Sequence, residues 1–311
     1  MNTDNVDEAQ LWKHYFVTPM VEKMYAFVTG IIKMGGTGGV IYAPTRTGKS
    51  KSIIVLIPEV RSFQGNRGKI IESEAVWVEA YDRKVVSEGG FWGWFLLEFK
   101  HERAGKIHDP LERRRVVCEY VKGLAGKSRS GRLILFVDEA QKFELTELGW
   151  LADLSNALQK DGFELIVFLV GSYHLQKWKN DLRGKEHEHV RSRFFIKEHR
   201  LTGLVSLKDF RRCLRRYDVD TRPLDGTQTM TQYYQPDWYA SGGRLEKHAD
   251  IIREAFLSAW GNAKGFEVPM AYFARTVKLV LDRDKIATSL ERLRKIVRQT
   301  GFSGPEKGDP C

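Results

Sequence analysis

The sequence predicts an α/β fold, a mainly parallel sheet wrapped by helices, followed by a smaller all-helical part. Segments 133–137 (LILFV) and 165–170 (LIVFLV) are continuous apolar runs of the kind found in strands buried on both faces. Strand-like segments alternate with helical patterns, the arrangement that builds a parallel sheet. After about residue 201 the strand signals fade and helical ones remain.

Each element has its own warrant. Thr18-Pro19 reads as a helix start, because Thr can cap free N–H groups and Pro suits the first helical position. Val21, Met24, Tyr25, Val28, Ile31 and Ile32 then follow one apolar helix face, and Gly35, Gly36, Gly38 and Gly39 are expected to end it. A short strand at 40–43 leads through a loop to a second helix expected to stop near Pro58. Residues 75–80 alternate as a strand, and Asp109-Pro110 opens a helix running to about 124. Another helix begins near Thr146, between the two apolar strands. Beyond 201, segments 205–217, 244–260 and 285–298 read as helices, while the polar stretch 218–237 reads as an exposed insertion. The expected domains are therefore a leader helix (1–35), the α/β core (36–201), a helical domain (202–300) and a loose tail (301–311).

Composition limits the classes of function. The chain has 311 residues, enough for about two ordinary domains whose cores need no disulfide or metal. No apolar run approaches the roughly 20 residues of a membrane span, and the acidic start (Asp4, Asp7, Glu8) is unlike a secretory leader. Three scattered cysteines (Cys118, Cys213, Cys311) make neither a metal knuckle nor a disulfide framework, which fits a reducing cytoplasm. Fifty Lys and Arg against forty Asp and Glu leave a net charge of +10, which favours a polyanionic partner, nucleic acid first.

The chemistry concentrates at two places. Ala43-Pro44-Thr45-Arg46-Thr47-Gly48-Lys49-Ser50, followed by Lys51, lies between a strand and a helix. It matches the phosphate-loop pattern G-x-x-x-x-G-K-[ST] except that Ala43 stands for the first glycine. In such a loop backbone N–H groups and the helix N-terminus cradle phosphates, and Gly48 permits close approach. Lys49 would reach the β and γ phosphates of ATP, and the Ser50 hydroxyl would hold Mg²⁺. The second place is the end of the 133–137 strand, which delivers Asp138 and Glu139 to the sheet edge where ligands of open α/β sheets sit. Asp138 would orient the Mg²⁺ shell, and Glu139 would polarise a water for attack on the γ-phosphate.

In these motifs and their order the chain resembles the AAA+ ATPases that regulate DNA transposition, the TnsC/TniB family, with IstB-like proteins as more distant relatives. The resemblance runs from about His14 to about Leu281. It rests on Phe16-Val17-Thr18-Pro19, Thr45-Arg46-Thr47-Gly48-Lys49-Ser50, Phe136-Val137-Asp138-Glu139-Ala140-Gln141 and Leu169-Val170-Gly171-Ser172. It continues with Val190-Arg191-Ser192-Arg193-Phe194, Gly242-Gly243-Arg244-Leu245 and Ile251-Ile252-Arg253-Glu254-Ala255. It implies a P-loop AAA+ core followed by a helical lid. It also implies a sensor-1 role for Ser172, an arginine finger at Arg193 with Arg191 as alternate, and a sensor-2 role for Arg244. The implied activity is ATP hydrolysis acting as a switch. In the ATP state the protein would assemble on target duplex DNA without reading sequence and recruit a transposase, then come apart on hydrolysis. A target-selection protein is the second implied partner, and the assembly is a ring or helical filament, hexameric per turn, in the bacterial cytosol. The alternative is an AAA+ helicase loader or another DNA-replication factor.

The same resemblance places channel-lining cations after the second strand, at Arg83, Lys84, Lys100, Arg103 and Lys106. Phe91-Trp92-Gly93-Trp94-Phe95-Leu96-Leu97 is dense enough in apolar residues to be core rather than a base-stacking platform. Arg211, Arg212, Arg215 and Arg216 form a basic stripe at helical spacing, open to DNA, a transposase tail or solvent. His187-Glu188-His189 lacks a third ligand at sensible spacing and reads as a charged loop.

Overall fold

The computed structural model describes residues 16–304 apart from 183, 185, 186, 224, 225, 262, 263, 283–285, 287 and 288, and apart from the side chains of 177, 179 and 180. These residues form two compact units. One, the α/β unit, is Lys23–Pro44 with Lys49–Leu201; the other, the helical unit, takes in residues 16–22, Thr45–Gly48 and 202–304.

The first helix, α1 (Pro19–Lys33), begins as the Thr-Pro pair predicts, with Thr18 Oγ1 accepting the Val21 N–H at 3.3 Å. Gly35, at φ +73°, ends it. Gly38 and Gly39 do not: they are the first residues of strand β1 (Gly38–Tyr42). A Cβ at Gly38 would lie 2.4 Å from the Val167 carbonyl oxygen, so glycine is needed there for strand packing. Helix α2 (Lys49–Arg61) carries Pro58 inside it and continues to Arg61, past the expected stop. Proline removes a single N–H, and the final turn survives because Val60 is fully buried.

Next come a small antiparallel hairpin, β2 (Ser62–Gln64) with β3 (Ile70–Glu72), and then β4 (Glu74–Glu79), α3 (Glu88–Glu98), α4 (Pro110–Ala125) and β5 (Arg132–Asp138). The α/β unit closes with α5 (Leu145–Lys160), β6 (Glu164–Gly171), α6 (Leu175–Asp181), α7 (Glu188–Phe194) and β7 (Glu198–Arg200). The main sheet has the order β4-β5-β6-β1-β7, and every pairing is parallel. Strands β5 and β6 lie in its interior and are buried along almost their whole length, as their unbroken apolar runs predict. Leu133, Leu135 and Val137 join the aromatic cluster of α3 and the apolar residues of α4 and α5. The alternate face receives Phe168, whose ring meets Phe27 of α1 edge-on. The dense run of α3 is indeed core: Phe91, Trp92, Trp94 and Phe95 are fully or almost fully buried. His187-Glu188-His189 is no loop, because Glu188 opens α7 with His187 at its N-cap.

The helical unit contains α8 (Leu207–Val219), α9 (Met230–Tyr234), α10 (Pro236–Ala240), α11 (Ala249–Trp260), α12 (Met270–Leu281) and α13 (Leu290–Gln299). Ser206 caps α8 and Ser289 caps α13, while the expected start of the last helix at 285 falls outside the described residues. Among its described residues, stretch 218–237 is not exposed throughout. Asp218, Thr221, Thr231 and Gln235 are buried, and Met230 is wholly so. Polarity does not force Asp218, Thr231 and Gln235 outward because each bonds backbone groups: Asp218 accepts from the N–H groups of Leu245 and Glu246, both at 3.0 Å, and Thr231 donates to Asp218 at 2.8 Å and lies 3.1 Å from the Tyr217 carbonyl. Gln235 likewise donates to the Leu281 carbonyl at 2.8 Å. The tail also begins packed: Phe302 is buried against Phe256, Trp260 and Tyr272. Residues 305–311 of the expected tail lie outside the described residues.

Candidate nucleotide site

Strand β1 ends at Tyr42 and α2 begins at Lys49, so the loop between them stands at the carboxyl end of a central strand. Ala43 is fully buried, and its N–H donates to the Gly171 carbonyl at 3.1 Å. Ala43 is not among the residues of positive φ, which is why the first glycine of the pattern is dispensable here. Gly48 is at φ +103°, a conformation that favours glycine. Lys49 is almost buried, and its Nζ donates to the carbonyls of Ala43 at 3.3 Å and Pro44 at 3.1 Å. Burial pulls the Lys49 pKa down, while the charges of Glu139 and Asp138 push it back up.

Two of the pattern's residues meet the carboxylates of β5. The Ser50 side chain hydrogen-bonds Asp138, and Asp138 Oδ1 also accepts the Glu139 N–H at 2.9 Å. Asp138 is fully buried, and among the described residues its Oδ2 has no hydrogen-bond partner. Burial drives the Asp138 pKa up, opposed by the Ser50 and Glu139 hydrogen bonds and the Lys49 charge. A buried carboxylate oxygen left without a donor, one bond from a serine hydroxyl and near a lysine, fits a hard divalent cation shared with phosphate. Among the described residues no group of three or more His, Cys, Asp or Glu could hold a metal ion. Mg²⁺ suits the site better than zinc, because it takes most of its ligands from phosphate and water.

Glu139 sits at φ +51°, a left-handed conformation unusual for a non-glycine residue, at the turn that leaves β5. Gln141 Nε2 donates to Glu139 Oε2 at 2.6 Å, and Gln141 Oε1 accepts the Ser172 N–H at 3.0 Å. Ser172 therefore lies at the end of β6 beside this network, with its hydroxyl 3.3 Å from His174 Nδ1. Of the sequence-predicted residues the α/β unit thus assembles Ala43, Pro44, Lys49, Ser50, Asp138, Glu139 and Ser172. Gln141 was legible only as part of the strand-end motif, with no role of its own.

Segment Thr45–Gly48 packs within the helical unit. Arg46, at φ +63°, donates from Nη1 to the Tyr272 hydroxyl at 2.9 Å, and its carbonyl accepts the Ala271 N–H at 3.2 Å. The loop carbonyl therefore satisfies one of the unpaired N–H groups that open α12. Helix α12 was not foreseen, although Phe273, Val277 and Val280 recur at helical spacing and are buried.

The candidate arginines each have a local partner. Arg193 is half-buried and its guanidinium bonds Asn156 of α5; exposed Arg191 pairs with Glu188 at 3.8 Å. Arg244 lies 3.5 Å over the Tyr239 ring and donates to the carbonyls of Tyr239 at 2.8 Å and Gly243 at 2.6 Å. Among the candidate DNA contacts, Arg83 must be withdrawn. Its side chain is only 7% exposed, paired with Glu147 and enclosed by Tyr81, Phe91, Trp94 and Phe143. The aromatic density of α3 pulls this guanidinium inward, where ring faces and a carboxylate replace water. Arg103 pairs with Glu112 at 2.5 Å, whereas Lys84, Lys100 and Lys106 are exposed. The α8 stripe is largely an ion-pair network, with Arg212 bonded to Glu22, Arg216 to Asp220, and Arg215 lying 3.9 Å from Glu246.

Residues 32–178 match the family model of the AAA domain. No curated protein matches the chain by sequence. Among solved structures the chain is similar to the Aeropyrum pernix ORC2 protein in its ADPNP–ADP complexes, at 12% identity over 96% of this chain and 73% of that one, with a TM-score of 0.52. The ADP form of the same protein gives 0.48 at 12% identity over 94% and 73%. Cdc6p from Pyrobaculum aerophilum gives 0.44 at 12% identity over 97% and 86%. The ORC2 likeness is one of fold: a P-loop AAA+ core with a five-stranded parallel sheet, followed by a helical region. Among the described residues no helix is long and apolar enough to cross a membrane.

Proposed function

We propose that the protein is an ATP-hydrolysing regulator of DNA transposition that assembles on duplex DNA in its ATP state. The observation that carries the nucleotide chemistry is the junction of Lys49, Ser50, Asp138 and Glu139 at the carboxyl ends of β1 and β5. Loop N–H groups and Lys49 bind the phosphates of ATP, and Ser50 and Asp138 hold its Mg²⁺. The cation, when bound, supplies neutralisation of phosphate charge. Glu139 takes the proton of the attacking water, and Ser172 orients that water or the γ-phosphate. Arg193 reaches the γ-phosphate of a neighbouring subunit after leaving Asn156, and Arg244 is the sensor-2 arginine. Shared sites of this kind give head-to-tail assemblies, a closed ring or a helical filament with six subunits per turn.

The transposition role rests on the order and spacing of the motifs from Phe16 to Ala255. Transposase and a target-selection protein are the partners it requires, and ATP hydrolysis is the timer that ends their engagement. Exposed Lys84, Lys100 and Lys106 are the cations offered to DNA phosphates. A second reading, a replication factor or helicase loader, is favoured by the fold shared with ORC2. Binding of a labelled random-sequence duplex with no nucleotide, with ADP and with a slowly hydrolysed ATP analogue, at two salt concentrations, separates the two. Cooperative, salt-sensitive duplex binding with the analogue alone is expected. A preference for single strands, or binding indifferent to nucleotide, moves the assignment to replication. Glu139→Gln should trap the ATP-bound assembly, and native turnover in that variant would refute the mechanism.

A further inference from the structure

The side-chain amide of Gln141 joins two positions of the site. It donates to Glu139 Oε2 at 2.6 Å and accepts the Ser172 N–H at 3.0 Å. The place where it lies is kept open by Gly171, since a Cβ built there would stand 2.1 Å from Gln141 Oε1. Gly171 is not among the glycines of positive φ, so its backbone does not demand glycine. What glycine supplies at this position is room for the amide. Glu139 is itself the left-handed residue at the turn that leaves β5.

We propose that Gln141 is the positioning residue that ties the Glu139 carboxylate to the end of β6, and that residue 171 is glycine to admit it. This rests on the reading of Glu139 as the base for water. The amide occupies Oε2 and fixes the plane of the carboxylate, so that Oε1 is the oxygen presented to the attacking water. Because Gln141 also holds the Ser172 backbone, the base and the sensor move as one piece. Neither oxygen nor nitrogen of the amide is needed to bind nucleotide, so its loss falls on turnover and spares affinity.

The test is a double-mutant cycle between Gln141→Ala and Gly171→Ala, read as kcat and as the Kd of a fluorescent ADP analogue. Gln141→Ala is expected to lower kcat about tenfold or more, with Kd held within about twofold. Gly171→Ala should do the same in the wild-type background and nothing further in the Gln141→Ala background. The cycle matters because a methyl at 171 also approaches Leu175 Cδ1 at 3.0 Å, and that effect would survive in both backgrounds. Additive losses, a raised kcat, or a Kd that moves in step with kcat would overturn the proposal. The linkage is read separately from turnover, by NMR of the Gln141 side-chain amide in the nucleotide-free protein. That resonance should shift in Glu139→Ala and in Gly171→Ala, and an amide unmoved in both overturns the proposal. If the amide responds but the wild-type protein does not hydrolyse ATP, the fault lies in the hydrolytic reading, and the positioning role falls with it.

Discussion

Replacing Asp218 with alanine should cut deeply into the stability of the helical unit. Asp218 is 2% exposed and serves three donors: the N–H groups of Leu245 and Glu246 and the hydroxyl of Thr231. Alanine leaves the buried Leu245 N–H without its acceptor. Thr231 keeps its bond to the Tyr217 carbonyl at 3.1 Å, while the N–H of half-buried Glu246 also loses its acceptor. At about 1–3 kcal/mol for each N–H group left unpaired, with half-buried Glu246 at the low end, the loss is on the order of 2–4 kcal/mol. For a unit of roughly 100 residues each kcal/mol moves the melting temperature by about 4–8 °C, so a fall of about 10 °C or more is expected. Scanning calorimetry measures it, with Asp220→Ala as the control, because Asp220 is an exposed partner of Arg216 worth about 1 kcal/mol or less. An Asp218→Ala protein melting no lower than Asp220→Ala would refute the reasoning and return stretch 218–237 to the class of loose insertions.

Burial raises the pKa of Asp138 and of Asp218 above the ordinary 3.8, so the folded state keeps these protons to higher pH than the unfolded chain does. Each group's contribution to stability is thus fullest below 3.8 and declines as pH rises through the folded value. Asp138→Asn should flatten that decline in melting temperature against pH while abolishing hydrolysis; an unchanged slope would count against the buried charge. Tyr272→Phe removes the hydroxyl that accepts from Arg46, and a loss of about 0.5–1.5 kcal/mol should raise the Kd for ADP by roughly two- to tenfold. Fluorescence titration checks it, and an unaltered Kd would deny the Arg46–Tyr272 bond a part in shaping the loop. Arg193→Ala should stop hydrolysis and spare nucleotide binding by the monomer, and normal turnover would remove the shared-site role.

The α/β unit was legible because its signals are local and redundant. Two unbroken apolar strands, a strand–loop–helix with Gly48-Lys49-Ser50, and Asp138-Glu139 at a strand end all point to one architecture. The helical unit was read less well, and the reason is physical. Asp218, Thr231 and Gln235 look like surface residues by type, but hydrogen bonds to backbone groups far along the chain make them interior ones. Arg83 misled for a different reason: the family resemblance offers it to a channel, while the rings that enclose it lie up to 60 residues away. Gln141 had no readable role, since its meaning comes from Gly171 and Ser172 at the end of another strand.

The order β4-β5-β6-β1-β7 has a consequence for the growing chain on the ribosome. Among the described residues strand β1 pairs with β6 and β7 and with no strand nearer in sequence. About 120 residues must follow β1 before β6 begins, a delay of about 6–25 s at synthesis rates of roughly 5–20 residues per second. Through that interval Val40 and Ile41, both buried in the finished protein, have no sheet to join. Strands β4 and β5 can pair first, so the sheet grows toward the phosphate loop from its far edge. Strand β1, which comes early in the sequence, is therefore among the last strands of the sheet to be paired.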